Sequence, residues 1–346
     1  MQYTTLGNTD LKVSKICLGT MTFGEQNSEA EGHDQLDFSL DRGVNFIDTA
    51  EMYAVPGRKE TQGATERIIG TWTNSRKNRD QFVLATKVTG PSPGITWLRN
   101  PLKFNREQIN EALEGSLQRL QTDYIDLYQL HWPERKANFF GKRGYKHDPE
   151  DPWEDNFLSI IEVLNDLVKA GKIRHWGLSN ETPWGAMRYL SEADQHQLPR
   201  PVSIQNPYSL LNRLYEVGMA EVSIREKCGL LAYSPMAFGL LSGKYHQGTA
   251  RDAARLNVFK QMSRYDSDNC YNATAEYLKV AEKYELSLAQ LSLAFVTSRP
   301  FMTANIIGAT SMEQLRENIN SIEVEITDEM MEDINAIHEK TPNPAP

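Results

Sequence analysis

Three observations predict an α/β fold, a (β/α)8 TIM barrel with an N-terminal β-hairpin and extra C-terminal helices. Short β-rich runs alternate with longer helical patterns through eight strand-then-helix units, as in a parallel sheet with helices outside it. Polar residues of catalytic type stand at the ends of successive runs, where a barrel builds its site. An open doubly wound sheet would place a Gly-x-Gly-x-x-Gly turn after an early strand, and 19–24 holds only Gly19 and Gly24, at the wrong spacing. Residues 1–346 therefore read as one domain.

Before the first unit, 3–6 and 11–13 flank Gly7-Asn8 and read as a hairpin placed to plug the bottom of the barrel. The first strand is 16–18. Helix 28–41 follows, with Ser28 as N-cap, Glu31 at the capping-box spacing, and Leu36 and Leu40 one turn apart. Strand 44–47 ends at Asp48 and precedes a helix at 65–72. Strand 82–85 stops just before Lys87 and leads to helix 105–120. There Asn105 is the N-cap, and Ile109, Leu113, Leu117 and Leu120 form an apolar stripe. Strand 124–130 ends at His131. The following loop, 132–156, is too long for a plain connector. It leads to helix 159–170, stopped by Gly171. Strand 173–178 with helix 184–195 and strand 202–205 with helix 217–227 are the next two units. Strand 230–233 is followed by helices 274–284 and 288–298, and strand 303–307 by helix 311–320. An extra helix, 328–340, precedes a Pro-rich tail.

Composition narrows the function classes. A chain of 346 residues buries roughly 75% of its unfolded surface and needs no disulfide or metal for stability. Cys17, Cys228 and Cys270 make neither a disulfide framework nor a metal-ligand spacing, so no metal is expected. The 37 basic and 46 acidic residues give a net charge of −9, which argues against nucleic acid as a partner. No stretch approaches the roughly 18 apolar residues of a membrane span. Met1-Gln2-Tyr3-Thr4-Thr5 has neither the basic start nor the apolar centre of a signal peptide. A cytoplasmic enzyme acting on a small molecule is the expectation.

The strand ends carry the chemistry. Asp48 and, five residues on, Tyr53 follow the second strand, Lys87 the third and His131 the fourth. A tyrosine hydroxyl with a pKa near 10 sits roughly three units too high for an efficient proton shuttle at neutral pH. A lysine ammonium about 4 Å away favours the phenolate by about 4 kcal/mol at an effective dielectric near 20. Asp48 would hold Lys87 charged and oriented, and His131 would orient a carbonyl oxygen beside Tyr53. Together they predict a general-acid site for reducing a carbonyl.

The stretch Gly43-Val44-Asn45-Phe46-Ile47-Asp48-Thr49-Ala50-Glu51-Met52-Tyr53 resembles the aldo-keto reductase signature, in which Asp and Tyr belong to a catalytic tetrad. Ala85-Thr86-Lys87 resembles the family's lysine strand, and 123–133, with His131, its histidine strand. The resemblance runs from about residue 6 to 337, and several segments look like the potassium-channel β-subunit branch of the family. It implies an NADPH-dependent aldehyde or ketone reductase, a monomer, with Tyr53 as proton donor, Lys87 and Asp48 tuning it and His131 orienting the carbonyl.

The resemblance also implies a site for NADP(H). Ser179, Asn180 and Gln205 would hold the nicotinamide carboxamide, whose acceptor oxygen and donor nitrogen match amide side chains. Tyr233 would stack on the ring. Ser234-Pro235-Met236-Ala237-Phe238-Gly239-Leu240-Leu241-Ser242-Gly243-Lys244 resembles the pyrophosphate loop. Arg255, with Arg251 as a substitute, would meet the adenosine phosphate. Gly308, Thr310, Gln314, Glu317 and Asn318 fall on adenosine-binding positions. Many family members have lysine where Gly308 stands, so Arg255 or Arg316 must supply the charge for a 2′-phosphate. The substrate pocket is expected to form from Phe23, Tyr53, His131 and Trp132, with Trp97, Phe139, Phe140 and Tyr145 nearby making it tolerant of aromatic groups.

Two rival readings remain. A Schiff-base lysine needs a neutral amine, and Asp48 would keep Lys87 charged. An NADPH-binding regulatory protein with weak reductase activity is the alternative from another class, and the complete tetrad favours turnover over it.

Overall fold

The protein is described by a computed structural model covering residues 1–250, 252, 254–258 and 263–345. A hairpin of β1 (Tyr3–Thr5) and β2 (Lys12–Ser14) comes first. The barrel strands are β3 (Ile16–Gly19), β4 (Phe46–Asp48), β5 (Val83–Val88), β6 (Ile125–Leu130), β7 (Ile173–Ser179), β8 (Ser203–Pro207), β9 (Gly229–Tyr233) and β10 (Met302–Ile307). They close in the order β10-β3-β4-β5-β6-β7-β8-β9, each pair parallel. Outside lie α1 (Glu29–Asp41), α2 (Ala64–Arg76), α3 (Arg106–Leu120), α4 (Phe157–Lys169), α5 (Pro183–Gln195) and α6 (Tyr215–Glu226). A single turn, α7 (Arg255–Val258), precedes α8 (Asp268–Lys283), α9 (Leu288–Thr297), α10 (Met312–Asn320) and the extra helix α11 (Asp328–Lys340). Among the described residues no helix is long and apolar enough to cross a membrane.

Strand alternation sorts side chains into two cores. Phe46 on β4, Val83 and Ala85 on β5, Leu127 on β6 and Leu231 on β9 point inward and form one cluster with Leu6, Leu11 and Val13 of the hairpin. The hairpin thus closes the barrel bottom. The intervening residues, Ile47, Leu84, Tyr128 and Leu130, point outward into the helix layer. There the α3 stripe of Ile109, Leu113, Leu117 and Leu120 is buried, each side chain contributing about 1.5–3 kcal/mol.

Local signals fix the helix ends. Ser28 accepts from the Glu31 amide at 3.3 Å while the Glu31 carboxylate takes the Ser28 amide at 2.8 Å. Asn105 caps α3 by accepting from Gln108 N at 2.9 Å. Gly171 ends α4 with φ +72°, a conformation that favours glycine. Several boundaries differ from expectation: α2 runs on to Arg76, β4 starts only at Phe46 and takes in Asp48, and β8 runs on to Pro207. α8 begins at Asp268 rather than 274, because Ser267 caps it by accepting from Cys270 N at 3.3 Å. β5 continues to Val88, so Lys87 lies within the strand and not beyond it.

Candidate active site at the mouth of the barrel

The same inward parity that builds the lower core builds the site. Asp48 is two residues after Phe46, Lys87 two after Ala85, and Gln129 and His131 two and four after Leu127. Parallel register sets Asp48 beside Ala85, and Lys87 beside Gln129. Lys87 is fully buried and donates from Nζ to Asp48 Oδ2 at 2.6 Å and to the Thr49 carbonyl at 2.7 Å. Its Nζ lies 5.0 Å from the Tyr53 ring centroid. The Tyr53 and His131 rings meet edge to face at 5.8 Å. Asp48, Tyr53, Lys87 and His131 therefore form one group.

Electrostatics set its protonation. Burial works to lower the Lys87 ammonium, but the charge of Asp48, the Tyr53 oxygen and the Asp48 hydrogen bond together hold it above its ordinary value. An ammonium held up in this way by Asp48 is the wrong form for Schiff-base chemistry, which needs a neutral amine. Burial, reinforced by Lys87, pushes His131 well below its ordinary value, so the imidazole is neutral. Its Nδ1 has no partner among the described residues. Burial raises Tyr53 and outweighs the lowering by Lys87. The lysine alone, which is what the sequence displays, points to a shift in the other direction. Tyr53 is a phenol at neutral pH, the form that can give a proton.

Two glutamines escaped the sequence reasoning in this role. Gln205 Nε2 donates to Asp48 Oδ1 at 2.8 Å and Gln129 Nε2 to the same oxygen at 3.2 Å. With Lys87 on Oδ2, the buried carboxylate is satisfied on both oxygens. Gln129 was findable, since it is inward by parity and directly beside Lys87.

The mouth opens into a cleft of about 980 Å³ that extends from Tyr53 and His131 to the start of α10. Its catalytic end is walled by Trp132, Phe139 and Phe140. The Trp132 ring lies 4.8 Å from His131 and 5.5 Å from Phe140. Phe23 is a correction: it is fully buried against Gly32 in the helix-layer core and does not line the cleft. Trp97 is also absent from the wall, and Tyr145 is exposed.

Beyond β7 to β9, Ser179, Asn180, Gln205 and Tyr233 line the cleft. Asn180 Nδ2 donates to the His131 carbonyl at 2.9 Å, and the Tyr233 hydroxyl donates to Asn180 Oδ1 at 2.6 Å. Ser179 Oγ donates to the Gln205 carbonyl at 2.9 Å. These groups brace one another, and Arg264, which the sequence reasoning missed, stands against the Tyr233 hydroxyl. Of the next loop, Ser234, Pro235, Met236, Phe238, Gly239, Ser242 and Lys244 reach the cleft. Ala237, Leu240, Leu241 and Gly243 do not, and the first three are packed in the core. The turn at Phe238 and Gly239, with φ of 56° and 92°, divides the loop in this way. Gly239 also lets the Lys244 ammonium approach to 3.0 Å from where a Cβ would stand.

Lys244 and Arg255 both face the cleft, and among the described residues neither has a carboxylate partner. Burial lowers both below their ordinary values, and Arg255 lowers Lys244 further. Gln26 and the Phe238 ring hold Arg255 at 3.4 and 5.6 Å. Arg316 instead lies over the Phe38 ring, 4.9 Å away, outside the cleft, and Arg251 lies outside the described residues. At the far end Asn318 Nδ2 donates to the Gly308 carbonyl at 3.1 Å, and Gln314 accepts from Thr310 N at 3.0 Å. Glu317 is taken by Ser287 Oγ at 2.6 Å. The lining as a whole carries five cations, Lys142, Arg143, Lys244, Arg255 and Arg264, against the carboxylates of Asp48 and Glu317. In a chain of net charge −9, this cationic lining, exposed at Lys142 and Arg143 and half-buried at Lys244, Arg255 and Arg264, could hold an anionic dinucleotide.

The Aldo/keto reductase family model matches residues 15–339. The chain belongs to the aldo/keto reductase family. It is 48% identical to Protein tas of Escherichia coli over the whole of both chains. It is 35% identical to the uncharacterized oxidoreductase YrpG of Bacillus subtilis, over 97% of this chain and 96% of that one. A probable voltage-gated potassium channel subunit beta of Arabidopsis thaliana is 30% identical, over 94% and 92%. Membership makes the protein an oxidoreductase of a family that uses NAD(P)H and acts on small carbonyl compounds. The closed eight-stranded barrel with its hairpin is the family's fold.

Proposed function

We propose that the protein reduces an aldehyde or ketone to the alcohol, with NADPH as reductant and Tyr53 as proton donor. A bound nicotinamide dinucleotide supplies the hydride. The chain's own residues do the rest. Trp132, Phe139 and Phe140 wall the catalytic end and limit water there. His131, neutral and beside Tyr53, orients the carbonyl oxygen with a hydrogen bond. Tyr53 Oη gives its proton to that oxygen. Lys87, held charged by Asp48, stabilises the negative charge that builds on the phenol as the proton leaves.

The observation that carries this reading is the buried Lys87–Asp48 pair beneath a protonated Tyr53. The unpaired cations Lys244 and Arg255 support a phosphorylated dinucleotide, and with Gly308 bare they favour NADPH through Arg255. The test is cofactor oxidation, followed by absorbance, over a panel of aromatic and aliphatic aldehydes and ketones with NADPH and with NADH. Turnover with NADPH is expected. Tight cofactor binding without turnover across the panel would instead favour a regulatory protein, the reading prompted by the resemblance to a channel subunit.

A further inference from the structure

A second cavity, of about 960 Å³, borders the catalytic cleft at residues 139–143. The two share that segment and Asn180. The rest of its wall comes from the long loop after β6, the starts of α5 and α6, and the C-terminal tail. Its size and lining are those of a small-molecule site. Phe139, Phe140, Trp153, Trp184 and Tyr215 supply aromatic faces.

Its charged lining is positive on balance. Four cations, Arg135, Lys136, Lys142 and Arg143, face two carboxylates, Asp151 and Glu181. Arg135 and Glu181 satisfy each other, and Lys136 is paired with Asp148. Among the described residues Lys142 Nζ has the Phe139 ring, 5.3 Å away, and no carboxylate, and Arg143 donates at 2.9 Å to the Pro344 carbonyl. Asn212, 1% exposed, lines the same wall, and its Nδ2 donor has no partner among the described residues. A buried donor without an acceptor is costly unless a ligand supplies one. Unpaired donors beside aromatic faces select a flat molecule with a negative acceptor.

We propose that this cavity is a second small-molecule site, which takes an aromatic monoanion such as an aryl carboxylate. The ring lies among Phe139, Trp153 and Trp184, and the carboxylate meets Lys142, Arg143 and the Asn212 amide. The site adjoins the catalytic one through Asn180, whose amide holds the His131 carbonyl. It does not depend on the reductase reading, because it rests on its own lining.

The test is calorimetric titration of 2-naphthoate into the intact protein, with 2-naphthalenemethanol as the neutral analogue. One naphthoate is expected to bind per chain, more tightly than the alcohol and more weakly as salt rises. Leu214→Asp separates the cavities. Leu214 lines only the second, is half exposed, and stands at the start of α6, where a carboxylate is favourable toward the helix dipole. The added like charge should weaken naphthoate by about fivefold or more. Reduction of a neutral aldehyde should be unchanged. Naphthoate binding that ignores Leu214→Asp, that is competitive with the aldehyde, or that is matched by the alcohol would overturn the proposal.

Discussion

Replacing Lys87 with methionine separates catalysis from stability. The ammonium stands 5.0 Å from the Tyr53 ring centroid. At an effective dielectric near 20, a full phenolate there gains about 3.3 kcal/mol from the lysine, or about 250-fold in rate as a ceiling. If half the charge has developed in the transition state, the loss is about 16-fold. The expected fall in kcat for aldehyde reduction with NADPH therefore lies between about 16-fold and 250-fold. Methionine also strands the Asp48 charge, which is only partly relieved by Gln205 at 2.8 Å and Gln129 at 3.2 Å. Breaking a buried pair from one side costs about 3–5 kcal/mol, and the two amides should hold the loss near the lower figure. The double variant Asp48→Asn with Lys87→Met removes the stranded charge. Urea unfolding should show it regaining at least half of the lost stability, while kcat stays low. If the double variant recovers activity together with stability, Lys87 acts only through the fold and its assigned role in proton transfer is wrong.

Four further outcomes are expected. Tyr53→Phe should abolish aldehyde reduction while cofactor binding, read by quenching of protein fluorescence, persists; retention of most of kcat would remove Tyr53 as the donor. Arg255→Ala should weaken NADPH more than NADH, and equal losses would take Arg255 away from the 2′-phosphate. Gly308→Lys should tighten NADPH selectively, since a Cβ at 308 meets nothing closer than the Gly19 carbonyl at 4.0 Å; an unchanged NADPH-to-NADH ratio would show that this position does not face the phosphate. Because burial and Arg255 depress Lys244 and a bound anion would raise it again, NADPH affinity should be full below the depressed pKa and fall as pH rises through it. Lys244→Arg should flatten that fall, and an identical slope in both proteins would refute the assignment.

The barrel was legible because strand alternation and helix caps are written locally: Ser28, Asn105 and Gly171 mark the expected helix ends. Asp48, Lys87 and His131 were legible because the same period of two carries the inward side from the plugged bottom up to the mouth, and Tyr53 because it follows Asp48 by five residues in the loop beyond that strand. What failed was what depends on distant contacts. Phe23 sits in a polar loop that looks like a pocket rim, and only the approach of Gly32 shows that it turns into the core. Arg264 and Arg316 are alike as sequence, yet one stands against Tyr233 and the other over Phe38. The direction at Tyr53 failed for the same reason. Lys87 can be counted from sequence, whereas the burial that outweighs it exists only once β4 to β6 and the following loops have closed around the ring.

The acidity of the chain and the cationic cleft belong to one design. A uniformly acidic protein would repel a dinucleotide, and a uniformly basic one would attract polyanions without discrimination. Here the solvated faces spend many of their cations in pairs such as Arg76–Asp37 and Lys283–Asp333. Lys244 and Arg255 are instead half-buried without carboxylates, repelling each other. That arrangement destabilises the empty cleft, and an anion there relieves both the repulsion and the desolvation. The catalytic centre follows the opposite rule. Lys87 is fully compensated by Asp48, and Asp48 by Gln129 and Gln205, so no anion is drawn to it. In the proposed reaction a phosphate is steered to Lys244 and Arg255 some distance along the cleft, and the compensated lysine keeps its field for the one place where new charge would appear, the oxygen of Tyr53.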